Sequence, residues 1–203
     1  MEVNTYMQIV FLSKYEPKDY AEKDGAGGYP DAPCKCPHKN CGISLTMRKN
    51  GYYSRYLKTS TFSGRIRIRR YKCPKCGRTV SMLPSFCMAG FSYGVEMIIN
   101  MARTAVEAGS IRKAVKEWAG CAEWVTRRHI ALYLARIRGN RKLIQYGLNQ
   151  ISPDNANIGS IPGDTDWTKG FLLEIRHTLP PEFNAAFHKA TGKSFMSPPK
   201  MIA

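Results

Sequence analysis

From Ala32 to Val95 the chain contains no aspartate and no glutamate. A mixed-sign, solubilising surface is therefore excluded over that block, where Lys35, Lys39, Arg48, Lys49, Arg55, Lys58, Arg65, Arg67, Arg69, Arg70, Lys72, Lys75 and Arg78 all fall. Across its 203 residues the chain sets 31 basic against 15 acidic side chains, a formal charge of +16. Such an excess, concentrated in one stretch, fits a polyanionic partner such as a phosphate backbone. Convergent carboxylates of the kind that two-metal strand cleavage needs are also missing. Asp164, Asp166 and Glu174 lie close in sequence, but Asp164 serves equally well as a helix cap and no acidic strand accompanies the three. No enzymatic activity is expected.

Long apolar runs are scarce too, and none approaches the ~18 residues that a membrane span requires. Met1-Glu2-Val3-Asn4 lacks a basic n-region, so no secretory signal is expected. The 7 cysteines are odd in number, and five of them crowd into two short segments instead of spreading as a disulfide framework. A reducing compartment follows, with a cytoplasmic, nucleoid-associated location expected and no membrane partner.

What those two segments offer is metal chemistry. Cys73-Pro74-Lys75-Cys76-Gly77 is a C-x-x-C-G turn that points two thiolates at one ion, and Cys36-Pro37-His38-Lys39-Asn40-Cys41-Gly42 repeats its Pro and Gly at a longer spacing. Cys36, Cys41, Cys73 and Cys76 are the expected ligands of one zinc ion, with Cys34 and His38 in reserve. A redox dithiol at Cys73 and Cys76 would sit at a helix N-terminus after a βαβ strand, and a strand of arginines precedes it instead.

That strand, Arg65-Ile66-Arg67-Ile68-Arg69, alternates so that Arg65, Arg67 and Arg69 share one face while the isoleucines face a core. Arg70 and Lys72 extend its charge. Asn50-Gly51 lies between Ile43–Met47 and Tyr52–Leu57 and signals a hairpin turn. Tyr52, Tyr53 and Tyr56 can either stack on bases or pack against arginine stems. Residues 1–33 have the opposite charge sense and read as a separate piece, with Tyr6–Leu12 a short strand or docking segment.

After Gly94 the period turns helical. Val95, Ile98, Ile99, Ala102 and Val106 share one face. A second helix, Ile111–Ala119, buries Ala114, Val115 and Trp118, and Gly120-Cys121-Ala122 leads to a third from Glu123 to Leu134. Two helices joined so tightly suggest a helix-turn-helix. With Val125 and Leu132 inward, Trp124, Thr126 and Arg127 turn toward solvent near the helix start, and Arg128 lies closer to the buried stripe, where it contacts backbone phosphate or pairs with Glu117 or Glu123. His129 reads as a packed or surface histidine. A helix with Trp167, Phe171, Ile175 and Leu179 on one face, ended by Pro180-Pro181, and another over Glu182–Ala190 form an expected docking hairpin.

The run Arg69-Arg70-Tyr71-Lys72-Cys73-Pro74-Lys75-Cys76-Gly77-Arg78-Thr79-Val80-Ser81-Met82-Leu83-Pro84-Ser85-Phe86, supported by Asn50-Gly51-Tyr52-Tyr53 and Cys36-Pro37, resembles a bacterial zinc-ribbon/helix-turn-helix family of unknown function that accompanies insertion sequences and transposases. The resemblance extends from about Met7 to Ile137. It implies zinc at the four cysteines and recognition of mobile-element ends or a promoter, as a transposition accessory factor or regulator. One departure is Ala119, which stands where the turn glycine of the motif normally sits, with Gly120 one residue later.

The expected class is α+β, with an N-terminal segment and linker over 1–33, a small β zinc ribbon over 34–90, an all-α helix-turn-helix domain over 91–150 and a C-terminal helical docking segment over 151–203. Expected partners are double-stranded DNA, a transposase or recombinase subunit and a second copy of the chain. Expected nucleic-acid contacts are Arg65, Arg67, Arg69, Arg70, Lys72, Trp124, Thr126, Arg127 and Arg128. An RNA-binding ribbon protein and a DNA-binding subunit or fragment of a transposase are the alternatives.

Overall fold

A computed structural model describes residues 7–23, 28–119, 124–151, 164–175 and 180–198. The period-two arginine segment forms strand β3 (Ser63–Lys72), flanked by antiparallel β2 (Arg48–Lys58) and β4 (Thr79–Pro84), while β1 (Met7–Phe11) pairs parallel with β4. The sheet order is β1-β4-β3-β2. Strands β2 and β3 are joined through Thr59–Phe62. There the Thr59 amide donates to the Phe62 carbonyl at 2.7 Å, and Thr59 Oγ1 accepts from the amides of Thr61 and Phe62.

Asn50-Gly51 makes no hairpin. Lys49 pairs with Tyr71 and Tyr52 with Arg69, so β2 carries one extra residue opposite the same partner strand. Gly51, at φ +70°, supplies the left-handed backbone such a bulge needs. The dipeptide specified a local conformation, and continued pairing with β3 on both sides made it a bulge.

Within 1–33, expected as a separate piece, the described residues 7–23 are built onto the sheet. β1 runs beside β4 from Met7↔Val80 to Phe11↔Pro84. Helix α1 (Pro17–Glu22) buries Tyr20, whose ring meets Phe86 edge-on and whose hydroxyl donates to the Arg67 carbonyl at 3.2 Å. On this sheet face Val10, Leu57, Ile66, Ile68 and Leu83 form a core with Tyr20, Phe86 and Cys87.

The opposite face is divided. Near the cysteines, Met47, Tyr71, Val80 and Met82 pack with Cys36 and Cys73. Farther along, Tyr52, Ser54, Tyr56, Arg65 and Arg67 are exposed.

Among the described residues six helices follow: α2 (Val95–Glu107), α3 (Ile111–Ala119), α4 (Arg127–Gly139), α5 (Arg141–Ile151), α6 (Asp164–Glu174) and α7 (Pro180–Thr191). The stripe predicted for α2 holds, since Val95, Ile98, Ile99 and Ala102 are buried, and α2 packs against α3, α4, α6 and α7. The sheet and the helices are fastened together by Ser85–Gly94. In that segment the Arg55 guanidinium donates to the carbonyls of Met88 and Phe91, and the Gly94 amide donates to the Lys58 carbonyl at 2.8 Å.

Helices α6 and α7, expected as a docking hairpin, supply core instead, and Leu179 of the expected stripe lies outside the described residues. Trp167, Phe171, Phe183 and Phe187 are buried with the α2 and α4 side chains, and Asn184 Nδ2 donates to the carbonyls of Ser85 and Cys87. An amphipathic stripe seeks apolar cover, and the nearest is the α2–α4–α5 surface. Pro180 opens α7, because proline suits a first helical turn.

Gly147 in α5 marks the closest approach. A Cβ there would lie 2.2 Å from Phe187 Cε2, against a ring that is itself fully buried. Gly→Ala inside a helix usually stabilises by up to ~1 kcal/mol. Here overpacking dominates, so Gly147→Ala is expected to lower stability by roughly 1–3 kcal/mol in urea unfolding. A variant as stable as wild type would place Phe187 elsewhere.

Candidate metal centre and basic face

The two cysteine turns are alike in backbone. In the first, the amides of Cys41 and Gly42 both donate to the His38 carbonyl at 2.9 and 3.0 Å, and the Cys36 amide reaches Ile43. In the second, which connects β3 to β4, the Gly77 amide donates to Cys73 at 3.1 Å and the Cys73 amide to Arg78. Gly42 and Gly77 close them at positive φ.

Together they bring the sulfur atoms of Cys36, Cys41, Cys73 and Cys76 within 4.8 Å of one another. Two of the separations, Cys36–Cys76 and Cys41–Cys73, are 3.8 Å. That is the edge of a tetrahedron with metal–sulfur bonds of about 2.3 Å. The four residues can hold a metal ion.

Cys34 is exposed and outside the cluster. His38 is outside it as well. It is 6% exposed, with Nε2 buried and lacking a hydrogen-bond partner.

Burial pushes the Cys36 thiol up to about 12. The backbone amides of Cys76 and Lys75 instead pull Cys73 down to about 7. Cys36 is thus protonated at neutral pH in the metal-free protein, and a cation bound by four thiolates must displace that proton.

The predicted nucleic-acid contacts divide. Arg65, Arg67 and Lys72 are exposed, whereas Arg70 is half-buried on the isoleucine side with Nε unpartnered. Arg69 is withdrawn from the expected arginine face: it is 8% exposed, and its guanidinium lies 4.5 Å from the Tyr52 ring and within 6 Å of those of Tyr29 and Tyr71. Alternation fixes which face a residue takes but not how far an aromatic cluster extends across it. Arginine stems and tyrosines do pack together here, as Arg69 and Tyr52 demonstrate.

Helix α4 begins at Arg127 rather than Glu123, and residues 120–123 lie outside the described residues. Trp124 and Thr126 precede it, both exposed, and the Thr126 amide donates to His129 Nδ1 at 3.3 Å. The inward stripe is Ile130, Tyr133, Leu134 and Ile137. Val125 is buried as expected, but Leu132 is 40% exposed. Starting the helix at 127 removes Val125 from its face, so the Val125–Leu132 spacing no longer describes a stripe. His129 is packed, with its ring 5.4 Å from that of Tyr93. Arg127 and Arg128 are exposed, and among described residues neither forms a salt bridge.

Two features have no local signal in the sequence. Lys58 Nζ lies 5.4 Å over the Trp124 ring, which joins the end of β2 to the approach to α4. A cleft of about 1010 Å³ also opens beside the cysteine turns, lined by Lys39, Arg78, Lys193, His38 and His188. That cleft depends on where α7 packs, which no local sequence pattern specifies. The side chains of Asp164, Asp166 and Glu174 lie outside the described residues. Among described residues no helix is long and apolar enough to cross a membrane. No family model, curated protein or solved structure matches this chain.

Elemental analysis of freshly purified protein is expected to find one metal ion per chain, retained in Cys34→Ser and lost in Cys73→Ser. Acidification from about pH 7.5 to about pH 5 should release it as protons compete for the thiolates. Metal held equally well by Cys73→Ser would refute the four-sulfur site.

Proposed function

We propose that this is a zinc-dependent protein that recognises double-stranded DNA, serving mobile-element ends or a promoter as an accessory factor or regulator. The observation that carries the reading is the first turn of α4. Arg127 and Arg128 are exposed there, and the first turn itself holds no acidic residue among the described residues. A helix macrodipole disfavours each cation at its N-terminus by about 0.3–1 kcal/mol. A phosphate at that helix end reverses the sign, since the free amides and both guanidinium groups then face an anion.

In this reading α3 and α4 are the helix-turn-helix, with the start of α4 meeting base edges and Arg65, Arg67 and Lys58 contacting the backbone. Zinc holds the ribbon that carries these cations, and cutting or joining of strands belongs to another polypeptide, a transposase or recombinase. The half-exposed Tyr52 and Tyr56 favour a second reading, binding of a strand with unpaired bases.

Site selection from a random duplex pool, followed by titration, tests the duplex reading. Arg127→Ala should lose about 1–3 kcal/mol on the selected site while binding random DNA nearly as before. Arg65→Ala and Arg67→Ala should each weaken all duplexes and lower the salt slope by about one unit, whereas buried Arg69→Ala should leave that slope unchanged. Identical selected motifs from wild type and Arg127→Ala would mean that α4 does not read sequence.

A further inference from the structure

We propose that the open half of the β2–β3 face binds an unpaired stretch of DNA, so that the protein grips a duplex and an adjoining single strand together. The inference rests on reading the basic face as a nucleic-acid surface, and its choice of DNA as the occupant rests on a duplex held at α4.

Strand β2 turns Tyr52, Ser54 and Tyr56 outward and Tyr53, Arg55 and Leu57 inward. The two outward rings are 45% and 49% exposed. They stand about 13 Å apart along the strand, four residues at ~3.3 Å each, which leaves room for bases between them.

Neither ring is loose. Tyr52 rests on Arg69, with the Tyr29 ring 5.3 Å away, and the Tyr56 hydroxyl hydrogen-bonds Ser63 Oγ at 2.6 Å. Rings already held in place lose little freedom when a base stacks on them.

Cations alternate with these rings. Arg67 is the cross-strand neighbour of Ser54 and Arg65 that of Tyr56. Lys58 and the 66% exposed Trp124 continue the row at the end of β2. Aromatic faces interleaved with basic groups suit a single strand, whose bases offer their ring faces and whose phosphates run alongside. A duplex keeps its base faces stacked on one another, so the same tyrosines would gain little from it.

Arg69 then has a purpose. A guanidinium buried among aromatic rings, with Nε unpartnered and no carboxylate in salt-bridge contact among described residues, is costly to fold. As a positioning residue it holds Tyr52 as a platform. The occupant is DNA rather than RNA because the Lys58–Trp124 contact joins this row to the first turn of α4, so a strand leaving a duplex there runs directly onto the sheet.

The test is fluorescence anisotropy on the full-length, metal-loaded protein with three labelled probes: a short oligothymidine, a duplex and an oligouridine. Tyr52→Ala/Tyr56→Ala should weaken oligothymidine binding at least about tenfold while duplex binding changes by less than about twofold. Tyr52→Phe/Tyr56→Phe, which keeps the rings, should bind oligothymidine like wild type and so separates stacking from any folding defect. Arg127→Ala should weaken only a duplex that carries the selected site and leave oligothymidine binding unchanged. Wild-type protein that binds oligothymidine but no duplex would overturn the joint grip together with the duplex reading, whereas duplex binding without oligothymidine binding would overturn this site alone. Absence of oligothymidine binding, an unaffected double-alanine variant, or tighter binding of oligouridine than of oligothymidine would overturn the proposal.

Discussion

Four sulfur atoms drawn within 4.8 Å of one another organise the basic half of the molecule. One pair turns the chain from β3 into β4, and the other sits in a segment that has no strand or helix of its own before β2. The apolar cluster beneath them is small, and Cys36 and Cys73 are themselves two of its buried members. Where so little apolar area is available, an ion shared by the four thiolates would add order, and its binding free energy would become folding free energy. Four thiolates around a divalent ion leave a net charge near −2. With such an ion bound, that charge would lie near Lys72, Lys75 and Arg78 in the chain and would ease their crowding.

The rest of the basic surface has little such relief. Among described residues the one salt bridge is Lys18–Glu22, away from the strands. Arg55 is absorbed into structure through the carbonyls of Met88 and Phe91, and Arg69 by tyrosine rings. Arg65, Arg127 and Arg128 remain outward with no salt bridge among described residues. β3 thus divides by parity: Ile66 and Ile68 secure it to a core, while Arg65 and Arg67 raise the positive potential of the opposite face. Like charges gathered at one surface oppose folding and favour a polyanion, so local stability and affinity pull against each other here.

Much of this was legible in the chain. The cysteine set stood out because Pro and Gly recur around both pairs, and the helical stripe of α2 because its spacing is regular. What escaped was where segments meet. Gly51 announced a left-handed backbone, yet a turn and a bulge ask for the same φ, and only the partner strand distinguishes them. Thr126 rather than Glu123 ushers in α4, and that shift of the start put Leu132 outside the buried stripe. The aromatic helices α6 and α7 carried a clear apolar face, but nothing local tells whether such a face covers the same chain or another. Arg69 was misjudged because burial on a strand face depends on which rings gather there, and Tyr29 comes from a distant segment.

The placement of β1 bears on how the chain folds. The β2–β3 hairpin and the β3–β4 turn link near neighbours in sequence and can form early. β1 must instead find β4 across most of the basic block, and α7, which packs on β1, comes later still. Contacts this non-local form slowly, because loop-closure entropy is lost before they compensate for it. Until α7 arrives, the partly built sheet presents strand edges that can pair with a second nascent chain. Its like-charged hairpin would repel such an encounter, so the arginines of β3 also guard the protein during the interval in which its sheet is incomplete.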